Sequence, residues 1–231
     1  MATLASLLYD LGNEVSGYDD VEEFKFTQVG LEERNIPIFY DSLHPISQDT
    51  IVTYSKAFKE THPELVRVRK QGLVVKEYNE VVGDITRMFE TISVCGTHGK
   101  TTTTSICSQI LERAMGCNYF IGDGSGKASP DNQYFVLESD EFNRHFLNYS
   151  PAITIITNIE EEHMECYHDL EDIVNTFQTF VNKTKRFAVL CGDNANVRKL
   201  QVSCPVTYYG FDPENDAVIR DLVLSEKGAS F

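Results

Sequence analysis

Apolar positions along this chain switch between a spacing near 3.6 and short β-branched runs, the pattern of helices alternating with strands. Leu4, Leu7, Leu8 and Leu11 recur at helical spacing before Gly12, so residues 1–11 predict an amphipathic helix. A short strand over 14–18 follows, ending in Gly17-Tyr18-Asp19-Asp20, then a helical stretch over 24–34 and apolar segments at 36–39 and 51–52. Helices over 63–70 and 80–88 flank a strand at 73–75. Beyond Phe89 the runs at 92–95, 133–137, 153–157, 186–190 and 205–209 predict strands. A helix opening near Lys100 offers Ile106, Ile110 and Leu111 as its apolar face. A second, over 170–181, offers Ile173, Val174, Phe177, Phe180 and Val181, and residues 218–231 predict the start of a β-hairpin. The expected fold class is α/β with a mainly parallel sheet. Residues 1–88 form a Rossmann-like domain and 89–231 a second domain. A Rossmann-like unit opens with a strand and a glycine-rich turn, whereas this chain opens at the helix that follows them, so that first strand is expected to be missing.

Chemistry concentrates where strands end. Gly96-Thr97-His98-Gly99-Lys100-Thr101-Thr102 lies between the strand ending at Cys95 and a helix, the context of a phosphate-binding loop. Glycines let backbone N–H groups turn inward, Lys100 supplies a charge for the β/γ-phosphates, and the Thr101 hydroxyl suits Mg²⁺. The helix N-terminus adds about half a positive charge. The general Walker pattern places Gly five residues before Gly99, where this chain has Val94. The strand over 133–137 delivers Glu138-Ser139-Asp140-Glu141 at its carboxyl end, where ligands of open α/β sheets gather. Mg²⁺ takes one or two protein carboxylates and completes its shell with phosphate and water oxygens. In the N-terminal half, Asp19 stands after a strand, where an acidic residue contacts a ribose or base.

The loop Gly-Thr-His-Gly-Lys-Thr-Thr resembles that of the Mur ligases, which read T-G-T-[N/H]-G-K-[T/S], and His98 resembles the alanine-adding branch. Residues 138–147, ESDEFNRHFL, resemble that branch's E-A-D-E-Y-D-x-S-F-L, with Asn143 for Asp and His145 for Ser. Residues 158–163, NIEEEH, resemble the family's N-[I/V]-x-x-D-H, with Glu162 for Asp. Ser55, Ala57 and Pro63-Glu64-Leu65 match V-x-S-S-A-[I/V] and N-P-E-[L/I], with Lys56 and His62 departing. The resemblance implies an incomplete P-loop central domain after the Rossmann-like one, with ATP and Mg²⁺ as cofactors. By that match Glu138 and His163 hold magnesium with Thr101, His98 reaches toward the reacting groups, and Ser55 binds the UDP-sugar. The implied reaction joins L-alanine to UDP-N-acetylmuramate through an acyl phosphate in peptidoglycan synthesis. A related ligase that attaches recycled tripeptide to the same sugar, and a nucleotide-binding remnant without catalysis, stay open. The family continues past residue 231, so a fragment is expected.

Charge narrows the partners. A net charge of −15 over 231 residues opposes nucleic acid and anionic membranes, which need a basic surface. No apolar run reaches the roughly 18 residues of a membrane span, and no basic leader opens the chain, so a cytoplasmic protein is expected. Six cysteines without C-x-x-C spacing predict reduced, buried thiols rather than a zinc site. No ligand role is expected of His44, His62, His145 or His168.

Overall fold

The computed structural model describes residues 1–23, 25–225 and 228–230. Phe24, at the start of the expected second helix, and residues 226, 227 and 231 of the expected hairpin lie outside the described residues.

The first element is α1 (Ala2–Asp10), with Leu4 and Leu7 fully buried. It is followed by β1 (Gly17–Tyr18), a 3₁₀ turn over Phe26–Gln28, α2 (Val29–Glu32) and β2 (Ile38–Phe39). The helix expected over 24–34 is thus two short turns, the second ending near Asn35, whose φ of 53° is left-handed. Next come β3 (Ile51–Tyr54), α3 (Pro63–Lys70), β4 (Val74–Glu77) and α4 (Tyr78–Met88). Pro63 opens α3 where its missing N–H costs nothing, and the His62 ring accepts from Glu64 N at 3.2 Å. At the head of α4 the Glu80 carboxylate accepts from Glu77 N at 2.6 Å, one half of a capping box.

These strands form two separate parallel pairs, β1–β2 and β3–β4, rather than one sheet.

Beyond Phe89 lie β5 (Glu90–Cys95), α5 (Lys100–Met115), β6 (Asn118–Phe120), β7 (Gly126–Lys127), β8 (Tyr134–Glu138) and β9 (Ile153–Ile156). Then come α6 (Leu170–Val181), β10 (Phe187–Cys191), β11 (Val206–Gly210), β12 (Ala217–Val218) and the hairpin β13 (Val223–Ser225) and β14 (Gly228–Ser230). Eight strands make one sheet in the order β12-β11-β10-β9-β5-β8-β6-β7, parallel throughout except at β6–β7. The central strand β5 pairs with β8 on one side and β9 on the other, Val94 standing opposite Glu138 and Ile155. All three therefore end at the same sheet edge. Long crossovers are what parallel neighbours require.

One face of the sheet carries the larger core. Phe135, Leu137, Phe146, Phe177, Phe180 and Leu190 pack there together with Leu4 and Leu7 of α1 and Val81, Val82 and Ile85 of α4. The core thus runs across Phe89 without interruption. The other face is smaller, Ile92, Val94, Cys117 and Val136 packing with Cys107 and Leu111. Here the expected face of α5 is corrected. Ile106 is 55% and Ile110 62% exposed, and the buried residues are Thr104 and Ser108. The loop before α5 fixes the rotation of the helix, and small residues let it lie close against the sheet. All six cysteines are free. Among the described residues no helix is long and apolar enough to cross a membrane.

Candidate functional site

The ends of β5, β8 and β9 assemble the site. Gly96 has φ 135°, and a Cβ there would lie 2.2 Å from Thr157 Oγ1 and 2.9 Å from the Asn158 carbonyl. Only glycine lets the loop turn this close to the end of β9. The loop is then latched: Thr97 N donates to Asn158 O (3.1 Å), His98 N to Asn158 Oδ1 (2.8 Å), and Asn158 Nδ2 to His98 O (3.0 Å). Glu160 N donates to Thr97 Oγ1 at 2.9 Å. Gly99 is the N-cap of α5, left-handed at φ 81°, and no side chain caps the helix. The first amides of the helix are left for a ligand, and the dipole favours an anion.

Lys100 and Thr101 reach the carboxylates of β8. Lys100 Nζ donates to the carbonyls of Gly96 (2.6 Å) and Thr97 (3.0 Å) and to Glu141 Oε1 (2.9 Å). Thr101 Oγ1 donates to Glu138 Oε1 at 2.9 Å, and Glu138 Oε2 accepts from Gly122 N at 2.6 Å. Thr102 is exposed on the same turn. The Glu141 side chain is 3% exposed, and its Oε2 has no hydrogen-bond partner among the described residues. Burial pushes its carboxyl above the usual range, against the pull of Lys100.

His163 has a left-handed φ of 57°. Its Nε2 lies 3.8 Å from Glu141 Oε1 and 4.0 Å from Glu162 Oε2, its Nδ1 3.8 Å from Glu165 Oε1, and its ring meets Phe142 edge-on. Ligand atoms of Asp140, Glu141 and His163 all fall within 4.8 Å of one another. The structure therefore joins Thr101 to Glu138 and groups His163 with Asp140 and Glu141. The ESDE run is visible in the sequence, but the buried member, Glu141, is not distinguishable from its neighbours there. Tyr78 and Gly122, also at the site, carry no sequence signal. His98 points outward: its side chain is 64% exposed, with Nε2 3.8 Å from Glu160 Oε2.

Two cavities flank this edge. One, about 270 Å³, is lined by Ser55, Lys56, Ala57, Tyr78, Asn79, Phe142, Asn143 and His145. The other, about 320 Å³, is lined by Tyr78, Lys100, Phe120, Ile121, Gly122, Leu137, Glu138, Asp140 and His145. Ser55 Oγ accepts from Ala57 N at 3.2 Å, and Lys56 pairs with Glu77 at 3.2 Å. Asp19 stands apart from both, accepting from Val21 N at 3.1 Å and pairing with Lys25 at 3.0 Å.

The donor set fits a nucleoside triphosphate with Mg²⁺. An uncapped helix N-terminus and an ammonium suit phosphates. The neighbouring oxygens of Thr101, Glu138, Asp140 and Glu141 are hard donors of the kind Mg²⁺ takes, and Glu141 Oε2, buried with no hydrogen-bond partner among the described residues, is one of them.

The chain is similar to known proteins over its whole length. The Mur ligase middle domain matches residues 94–231, and the Mur ligase family, catalytic domain, matches residues 1–90. The UDP-N-acetylmuramate–L-alanine ligase of Lactiplantibacillus plantarum is 38% identical over 231 residues, all of this chain and 53% of that protein. The chain thus spans about half the length of that curated relative. The crystal structure of UDP-N-acetylmuramate–alanine ligase MurC from Thermotoga maritima superposes with TM-score 0.74 at 28% identity, covering 91% of this chain and 50% of that one. The UDP-N-acetylmuramate:L-alanyl-gamma-D-glutamyl-meso-diaminopimelate ligase of Neisseria meningitides shares the fold, with TM-score 0.75 at 21% identity over 90% of this chain and 74% of that one. With loop, carboxylates and histidine in one order and more than half its length matched to one family model, this chain belongs to the Mur ligase family.

Proposed function

We propose that this chain carries the ATP-binding and acceptor-binding parts of a ligase that joins L-alanine to UDP-N-acetylmuramate. The observation that carries the reading is the meeting of Lys100, Thr101, Glu138 and Glu141 at one sheet edge, with an uncapped helix N-terminus and a cavity on either side. The 38% identity over the whole chain to an alanine-adding enzyme favours alanine over a tripeptide as the added group.

In this reading residues 89–231 bind ATP and residues 1–88 hold the UDP-sugar, with Ser55 and Asp19 as its contacts. The acceptor carboxylate attacks the γ-phosphorus and ADP leaves; the alanine amine then attacks the acyl carbon and phosphate leaves. No enzyme nucleophile is needed, so the protein's part is positioning and charge stabilisation. Gly96, Thr97, His98 and Gly99 shape the loop around the phosphates; the Thr97 and His98 amides are held by Asn158, so the amides of Gly99 and of the first turn of α5 face the phosphates. Lys100 exchanges its carbonyl partners for phosphate oxygens, Glu141 holding the ammonium in place meanwhile. Thr101 and Glu138 would hold Mg²⁺ on the phosphate side, and His163 with Asp140 and Glu141 a second such ion. Mg²⁺ supplies charge neutralisation for the transferring phosphoryl group.

Isothermal titration of this chain with MgATP tests the reading. Removing Lys100 deletes charge-assisted phosphate contacts worth about 1.5–3 kcal/mol each, so Lys100→Ala is expected to weaken binding at least about tenfold. Equal affinity in the two proteins would reject the loop as the nucleotide site.

A further inference from the structure

The reaction proposed above requires two bound molecules to meet, and the two cavities share one boundary. One cavity holds Ser55 and Lys56, the other Lys100, Glu138 and Asp140, and the side chains that line both are Tyr78 and His145. A carboxylate that attacks phosphorus has to approach within about 3–3.5 Å, so an acceptor seated in the first cavity must present its carboxylate at the boundary with the second.

At that boundary His145 Nε2 is buried and has no hydrogen-bond partner among the described residues. A buried imidazole nitrogen in that state is costly unless a ligand satisfies it. The charged groups whose fields reach the ring are Asp140, Lys56 and Glu77, one from the phosphate side and two from the sugar side. Burial pushes the imidazole pKa below its ordinary value, and a neutral imidazole carries one N–H donor.

The local backbone is built to hold the ring there. Asn143 and Arg144 are consecutive left-handed residues, with φ 50° and 59°. Arg144 is held by Asp172 at 2.8 Å and by Thr176, and its guanidinium lies 4.8 Å over the Tyr167 ring. On the other side Phe146 is fully buried and stacks on Phe180 at 4.4 Å. His145 is therefore fixed between two anchors, at the position where the resembling pattern has a serine. A histidine reaches further than serine and presents a donor on a rigid ring.

We propose that His145 is a specificity-determining residue, its Nε2–H donating to the carboxylate of the acceptor sugar where the two cavities meet. The inference rests on the acceptor reading above. UDP-N-acetylglucosamine, which has a free hydroxyl in place of the lactyl ether that bears the carboxylate of UDP-N-acetylmuramate and otherwise matches it, separates the two claims. Each is titrated calorimetrically into the wild-type chain, His145→Ala and His145→Gln, after urea melts establish that the variants fold. The wild type is expected to favour the carboxylate-bearing sugar at least tenfold. In His145→Ala that preference falls to near unity with the affinity for UDP-N-acetylglucosamine kept; in His145→Gln, whose amide N–H reaches toward the same point, most of it is retained. A preference that survives in His145→Ala, or a wild type that binds both sugars equally, overturns the role of His145 while leaving the acceptor reading standing. A wild type that binds neither sugar defeats the acceptor reading and this inference with it.

Discussion

Gly96 shows how much of the site depends on a single missing methyl group. Its φ is 135°, and a Cβ at that position would come within 2.2 Å of Thr157 Oγ1, leaving no room for any side chain, because Thr157 and Asn158 are themselves bonded to the loop. Gly96→Ala forces either the loop or the end of β9 to move. A backbone forced into such a region costs about 1–3 kcal/mol, so the urea midpoint is expected to fall correspondingly and MgATP binding with it. A midpoint and affinity equal to wild type would show that the loop accommodates a side chain. The neighbouring residues act by charge: Lys100 is saturated by two carbonyls and Glu141, so its positive charge is already in place when phosphates arrive. Preorganisation of this kind is where electrostatic sites gain most.

Helix α4 is the element that ties the two halves together. Gly83 sits in its middle, and a Cβ there would lie 2.6 Å from the Asn148 carbonyl in the segment that leads into β9. Thr86, one turn later, donates to Gly83 O at 2.6 Å and accepts from Ser150 N at 3.0 Å. Helix propensity favours Ala over Gly by about 1 kcal/mol in a helix interior. Here the close contact opposes it, and Gly83→Ala is expected to lower stability by about 1–3 kcal/mol, the usual cost of overpacking. Chemical denaturation measures this directly, and a stabilised variant would mean that α4 and the Asn148 segment are not held at this distance. Element boundaries agree with the sequence pattern where periodicity is strong: α3 and α6 span the expected residues. In the large sheet β8, β10 and β11 lie one residue beyond the expected runs, β5 begins two residues earlier and β9 ends one residue sooner, since alternation marks a run better than its ends. The short strands β6, β7 and β12 carry no run long enough to be expected.

Across the whole molecule, stability is unevenly distributed. The eight-stranded sheet is covered on both faces, whereas β1–β2 and β3–β4 are two-stranded pairs at the other end of the chain. Two-stranded pairs are marginal unless something packs on them. Amide hydrogen exchange is therefore expected to be faster in β1, β2, β3 and β4 than in β5, β8 and β9, by orders of magnitude at neutral pH. Mass-spectrometric exchange would contradict this if the pairs were protected to the same degree as β5. The acidic charge of −15 acts at this scale too, since phosphates can approach only where Lys100 and the α5 amides offset it locally.

What the sequence by itself determined is local and contiguous: alternating elements, hence a parallel sheet; the glycine-lysine-threonine loop; and carboxylates at the end of a strand. Those properties depend on neighbours a few residues apart, so periodicity and spacing reveal them. What only the tertiary structure decided is pairing between distant segments. Thr101 meets Glu138, and Lys100 meets Glu141, because β8 lies beside β5 in the sheet. Asn158 latches the loop because β9 lies on the other side. The buried face of α5 followed the loop and not the position of Ile106 and Ile110. His145 and Tyr78 come to one boundary because α4 packs against the segment after β8, a contact between residues far apart in the chain that no local pattern encodes.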